Sequence, residues 1–160
     1  MSKFTNIKKE IVIDTGPLLV ILAEHYGHNT LTKFGYTDDY VIVLKEFLKD
    51  VSKIIITPQV LAEVSNLVNT KIEKVFFSDF INFSKSILQE LKEEYISKDI
   101  VLAKKELPKF GFTDASLLEV ANGNKLLLTN DALLHYYCRN NNISLAYLRE
   151  IVEKYRSTNF

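Results

Sequence analysis

The sequence predicts an α/β fold: a three-layer α/β/α sandwich around a central parallel sheet of four to five strands, with Rossmann-like topology. Three observations predict it. Short, wholly apolar runs such as Ile11-Val12-Ile13 and Leu126-Leu127-Leu128 recur along the chain. Strands that read apolar throughout are buried on both faces, which is the habit of parallel sheets. Stretches with apolar residues every three or four positions separate these runs, as the crossover helices of such a sheet require. Acids stand just beyond the ends of the runs, where open α/β sheets place their ligand sites.

Taken in order, Ile11-Val12-Ile13 is the first strand, and Asp14-Thr15-Gly16-Pro17 is a turn that opens a helix with Pro17 at its start. Leu18, Leu19, Ile21 and Leu22 give that helix an apolar face. His25 to Tyr36 is polar, carries Gly27 and Gly35, and reads as a loop. Thr37-Asp38-Asp39 starts a helix continued by Val41, Leu44 and Leu48. Lys53-Ile54-Ile55-Ile56-Thr57 is the second strand, and Pro58 opens a helix with Val60, Leu61, Val64, Leu67 and Val68 inward. From Lys71 to about Leu107 a three-to-four-residue apolar spacing predicts one long helix or two stacked ones. Thr113-Asp114 starts a helix that runs through Val120 and is stopped by Gly123. Lys125 to Thr129 is the third strand, and Asn130-Asp131 caps a helix carrying Leu133, Leu134 and Tyr137. Ile143 to Ala146 is a fourth strand, with a terminal helix after it.

The 160 residues suit a single domain spanning 1–160, and 47% hydrophobic with 25% charged residues is a globular balance. Lys plus Arg and Asp plus Glu are 20 each, so the formal net charge is zero. That argues against a passive nucleic-acid coat, which is usually basic. It leaves room for a nuclease, whose acidic metal site offsets basic substrate contacts. Cys138 is the one cysteine, so an intrachain disulfide and a multi-cysteine zinc site are excluded and a reducing cytoplasm is expected. The start, MSKFTNIKKE, has no apolar core of a secretory leader, and runs such as Leu18 to Ala23 are too short to cross a bilayer. No membrane partner is expected.

Four acids carry the candidate chemistry. Asp14 directly follows the first strand and Asp131 lies two residues after Thr129 of the third, so both stand at carboxyl ends of strands. Asp114 opens a helix, and Glu63 lies one to two turns into the helix after the second strand. Carboxylates brought together repel, and a divalent cation resolves the repulsion. Oxygen ligands favour magnesium or manganese, which can activate water and stabilise a phosphodiester transition state.

These segments resemble the PIN-domain family. Ile11-Val12-Ile13-Asp14-Thr15 resembles its opening strand and first acid, and Thr57-Pro58-Gln59-Val60-Leu61-Ala62-Glu63-Val64 its second-acid helix. Gly111-Phe112-Thr113-Asp114-Ala115-Ser116-Leu117 and Leu126-Leu127-Leu128-Thr129-Asn130-Asp131 look like the third and fourth acid motifs. The resemblance covers about residues 10–147 with all motifs in family order. It implies a metal-dependent endoribonuclease, VapC-like, in which Asp14, Glu63, Asp114 and Asp131 ligate Mg²⁺ or Mn²⁺ and Thr129 supports the site. It also implies single-stranded or structured RNA as substrate, an antitoxin protein as partner where the member is a toxin, and a homodimer. The segment at about 25–50 is longer than in the compact toxins and insertion-like, and the helical stretch before Phe112 is also long.

Other readings stand beside this one. Taken singly, Asp14, Asp114 and Asp131 suit helix N-caps and Glu63 a solvated helix face. Asp38, Asp39, Glu24 and Asp99 read as helix-start or surface acids, and Glu119 as a surface acid within reach of the site's rim. His25, His28 and His135 lack a metal spacing and read as surface or loop residues, and Cys138 as a buried apolar side chain. The aromatic stripe from Ile72 to Tyr95 fits core or dimer interface better than a base-stacking platform. Lys71, Lys74, Lys104, Lys105, Lys109 and Arg139 are available for phosphate contacts. The competing functions are a catalytically silent PIN-like scaffold that binds RNA or protein, and another Rossmann-like phosphohydrolase. No G-x-G-x-x-G or G-x-x-x-x-G-K-[ST] occurs, which disfavours dinucleotide and P-loop chemistry.

Overall fold

A computed structural model describes residues 9–159. Residues 1–8, most of the stretch read above for a leader, lie outside the described residues. The chain forms β1 (Lys9–Ile13), α1 (Thr15–Tyr26), α2 (Thr30–Lys33), α3 (Asp38–Leu48) and β2 (Val51–Ile56). It continues with α4 (Pro58–Lys71), α5 (Lys74–Gln89), β3 (Lys92–Glu93), α6 (Lys98–Leu102) and α7 (Leu107–Val120). It ends with β4 (Leu126–Thr129), α8 (Ala132–Asn140), β5 (Leu145–Tyr147) and α9 (Leu148–Asn159).

The five strands form one all-parallel sheet in the order β3-β2-β1-β4-β5. The wholly apolar runs occupy its centre: Ile11, Val12 and Ile13 of β1 and Leu127 and Leu128 of β4 are fully buried. Right-handed crossovers put the helices that wind from β1 out to β3 and the helix that links β4 to β5 on opposite faces, giving the α/β/α sandwich. On the first of these faces α1 packs against α3, α4 and α5. The winding reverses between β1 and β4, whose register pairs Ile13 with Leu128. A crevice outside the carboxyl ends of these two strands is therefore the expected ligand position.

Three expectations need correction. His25 to Tyr36 is not all loop: α1 runs to Tyr26, Gly27 stops it at φ 75°, and Thr30–Lys33 makes one further helical turn. The Thr30 hydroxyl stabilises that turn by donating to the Gly27 carbonyl at 2.7 Å. The stretch from Lys71 to Leu107 is not continuous helix but α5, the edge strand β3 and the short α6. Both residues of β3 are solvent-exposed, so the strand leaves no apolar signature. Thr113-Asp114 does open a helical stretch through Val120, as expected. It lies in the first turn after a break inside α7, where Gly111 takes φ 82° and ψ −178°. Gly is the residue that adopts such a backbone without steric cost. The fourth strand expected at Ile143–Ala146 is instead Leu145–Tyr147.

The aromatic stripe divides. Phe80 is fully buried on α5, with its ring edge-on to Tyr26 at 5.2 Å and to Phe34 at 6.1 Å. Val75, Phe76 and Phe83 are exposed. Phe80→Ala is expected to cost about 3–5 kcal/mol, because a closed core cannot refill an aromatic cavity. Phe83→Ala, starting from an exposed ring, is expected to cost much less. Denaturant unfolding of the two variants checks this, and equal costs would contradict the packing described.

Candidate metal centre

Asp14 ends β1, and its backbone N–H donates to the Leu128 carbonyl at 2.9 Å, continuing the β1–β4 ladder by one residue. Its side chain caps α1, accepting from the Thr15 N–H at 2.6 Å. Its other carboxylate oxygen, Oδ2, accepts from the Thr129 hydroxyl at 2.6 Å. Thr129 is fully buried at the end of β4, and its oxygen in turn accepts from the Asp131 N–H at 3.0 Å. One hydroxyl thus ties two of the sequence-predicted acids together. Asp131 caps α8 through a bond from the Leu134 N–H at 2.8 Å to Oδ1. The capping alternative is correct for Asp14 and Asp131, and it uses only part of each carboxylate. Asp114 caps nothing and sits inside α7.

Glu63 and Asp114 arrive on α4 and α7, which pack against each other. Thr57 caps α4 by accepting from the Val60 N–H at 3.4 Å, and its hydroxyl meets that of Ser116 at 3.5 Å. Both hydroxyls are fully buried, so this polar contact fixes the two acid-bearing helices to each other behind the site. Sequence reasoning gave Ser116 no role.

All four acids line one pocket of about 290 Å³, together with Thr15, Gly16, Tyr36, Asn130 and Lys71. They descend in depth: Asp14 is 7% exposed, Glu63 and Asp114 are half-buried, and Asp131 stands at the exposed rim. A larger, mostly apolar groove of about 770 Å³ lies elsewhere, beside Phe47, Val51 and Tyr155. Size favours that groove, but the convergence of like charges marks the smaller pocket as the chemical one.

The electrostatics follow from burial. Asp14 is raised to about 6, first by desolvation and then by the charges of Glu63 and Asp131, against the lowering effect of its hydrogen bonds from Thr129 and Thr15. Asp114 is raised to about 7 by desolvation and by Asp14, Asp131 and Glu63. Among the described residues, none of the four acids is in an ion pair with Lys, Arg or His. The basic candidates are dispersed: Lys71 lines the pocket, Lys104 pairs with Glu119 at 2.7 Å, and Lys109 lies over the Phe110 ring. Glu119 is thereby held away from the rim position considered for it.

Among the described residues, no three His, Cys, Asp or Glu side chains are drawn into a closed ligand shell. The donor set itself fits a hard divalent cation: the pocket offers carboxylate, hydroxyl and amide oxygens and neither imidazole nor sulfur. Among the described residues, the buried Thr15 Oγ1 and Asn130 Oδ1, both at this pocket, have no hydrogen-bond partner. His135 is not the surface residue expected, since its ring stacks on Tyr147 at 4.4 Å with 12% of the side chain exposed. Cys138 is buried, as expected, and desolvation pushes its thiol up to about 11. Sequence reasoning missed Gly16, Tyr36 and Asn130 as pocket walls, and Phe34-Gly35-Tyr36 carries no motif that marks it.

No protein-family model matches the chain, and no curated protein matches it. Among the described residues, no helix is long and apolar enough to cross a membrane.

Proposed function

We propose that the chain is a metal-dependent endoribonuclease of PIN-domain type. The observation that carries the reading is the convergence of Asp14, Glu63, Asp114 and Asp131, from four separate segments, on one pocket at the sheet's switch point. Buried carboxylates without a basic partner are costly in a merely structural role. Here the cost has a chemical use. Held by these four residues, Mg²⁺ or Mn²⁺ supplies positive charge that favours deprotonation of water and stabilises the developing charge on phosphate oxygens.

The protein's own contribution is placement. Thr129 orients the Asp14 carboxylate, the Thr57–Ser116 contact locks α4 to α7, and Lys71 at the pocket edge suits a flanking phosphate. Water attacks phosphorus, the P–O3′ bond breaks, and the 3′ oxygen takes a proton. The products then carry a 5′-phosphate and a 3′-hydroxyl. RNA with unpaired bases suits an open pocket better than a closed duplex. By the same family resemblance, we propose a homodimer and an antitoxin protein as partner of a toxin role, and from the single cysteine a reducing cytoplasmic setting.

The test is incubation of the purified chain with end-labelled single-stranded RNA and Mg²⁺ or Mn²⁺, with and without chelator. Fragments bearing 5′-phosphate that vanish on chelation are expected. Cleavage indifferent to chelator, or 2′,3′-cyclic phosphate ends, would overturn the mechanism. RNA binding without any cleavage would identify the silent scaffold instead.

A further inference from the structure

The wall facing the acids comes from the insertion-like segment. Tyr36 lies between α2 and α3, and its ring is held edge-on to Tyr40 at 5.0 Å. Its hydroxyl reaches the first turn of α1. A Cβ on Gly16 would stand 2.8 Å from the Tyr36 hydroxyl oxygen and 3.3 Å from Asn130 Cβ. Gly16 lies within helical backbone, so the missing side chain, rather than conformational freedom, is what this position requires. Space is thereby kept for Tyr36 and Asn130 to meet.

Both side chains close on the space left by Gly16. Among the described residues, Asn130 Oδ1 is a buried acceptor with no partner, and no acceptor takes the Tyr36 O–H. Thr15, only 4% exposed, presents a second unpartnered oxygen to the same pocket. Unpartnered buried groups are expensive, so a ligand that completes them is favoured. The completing group must donate to Asn130 Oδ1 and accept from the Tyr36 hydroxyl. A phosphate oxygen cannot donate, and an ammonium cannot accept. A hydroxyl does both.

We propose that the Tyr36–Asn130 pair binds a ribose 2′-hydroxyl and so selects RNA over DNA of the same sequence. This rests on the reading of the pocket as a phosphodiester-cleaving site, and it adds the residues that recognise the sugar. The 2′-hydroxyl is the group that distinguishes the two polymers at a given position.

Tyr36→Phe keeps the ring and its contact with Tyr40 and removes only the hydroxyl. Binding of single-stranded RNA and of the same-sequence DNA is measured with Ca²⁺, alongside kcat and KM for cleavage with Mg²⁺ or Mn²⁺. The variant is expected to bind RNA about threefold to tenfold more weakly, the loss of about one hydrogen bond. DNA binding and thermal unfolding are expected to stay unchanged, and the cleavage defect to fall mainly in KM. Gly16→Ala, which displaces the hydroxyl without removing it, is expected to narrow the same RNA-to-DNA ratio. Equal weakening toward both polymers, or an unchanged ratio as expected if water alone completes the pair, overturns the proposal while cleavage by the unmodified chain keeps the ribonuclease reading. Absence of both binding and cleavage in the folded, unmodified chain overturns both.

Discussion

Asp114→Asn is expected to reduce metal-dependent RNA cleavage by about 10²–10³-fold or more and, at the same time, to raise the melting temperature of the metal-free chain near pH 8. On the proposed metal-dependent mechanism, the activity loss follows from removing one anionic oxygen donor from the site that would hold the cation. The stability gain follows from the electrostatics. Asp114 is raised to about 7 by desolvation and by Asp14, Asp131 and Glu63, so near pH 8 it is ionised at a cost to the fold. Asparagine of the same shape removes that charge. Below the ordinary value of 3.8 Asp114 is protonated in the folded and the unfolded chain alike, and the two proteins are expected to melt alike there. Cleavage assays and thermal scans at the two pH values check both halves. A variant that loses stability equally at both pH values would mean that Asp114 is a structural residue, and retained cleavage would remove it from the metal site.

The second large effect is on the unmodified chain. Asp14 and Asp114 have folded-state values of about 6 and about 7 against an ordinary 3.8. A carboxyl raised on folding binds its proton more tightly in the native state. Its contribution is therefore fully present below the unfolded value and lost as pH rises through the folded value. Metal-free chain is expected to lose stability between about pH 4 and pH 8. For Asp14, which is 7% exposed, the loss is about 3 kcal/mol. Half-buried Asp114 adds in the same direction. Glu94 is lowered because hydrogen bonds from Lys125 and Lys92 outweigh its burial, and Glu106 because of its bond from the Tyr137 hydroxyl. Those two act oppositely and in a lower window, their stabilisation being lost as pH falls below the ordinary value of 4.5. Mg²⁺ or Mn²⁺ at about a hundred times its dissociation constant is expected to restore about 2.7 kcal/mol near pH 8. Near pH 5 it is expected to restore little, because protons compete for the same oxygens. A melting temperature that ignores divalent ions near pH 8 would sink the metal site.

The acids at strand ends were legible because two independent regularities meet there. Apolar runs locate the strands, and sheet topology locates ligands beyond their carboxyl ends. Glu63 was legible only through its motif, since its own surroundings resemble any half-buried helix. The strand β3 was invisible because Lys92 and Glu93 both face solvent and their place is set by pairing with Ile55 and Ile56. The helix that restarts after Gly111 was legible from Thr113-Asp114, which stands in its first turn. Tyr36 could not be read at all: it reaches the site only because Gly16, distant in sequence, has no side chain.

The ladder bond from the Asp14 N–H to Leu128 has a consequence for how the pocket fails. That amide belongs to the two central strands, whose separation amounts to complete unfolding, whereas Glu63, Asp114 and Asp131 ride on peripheral helices that can open piecemeal. Breathing of α8 alone would carry away Asp131, the outermost acid, and leave Asp14 anchored. A cation held there, as proposed, would then exchange with solvent through partial excursions, many times within the lifetime of one folded molecule.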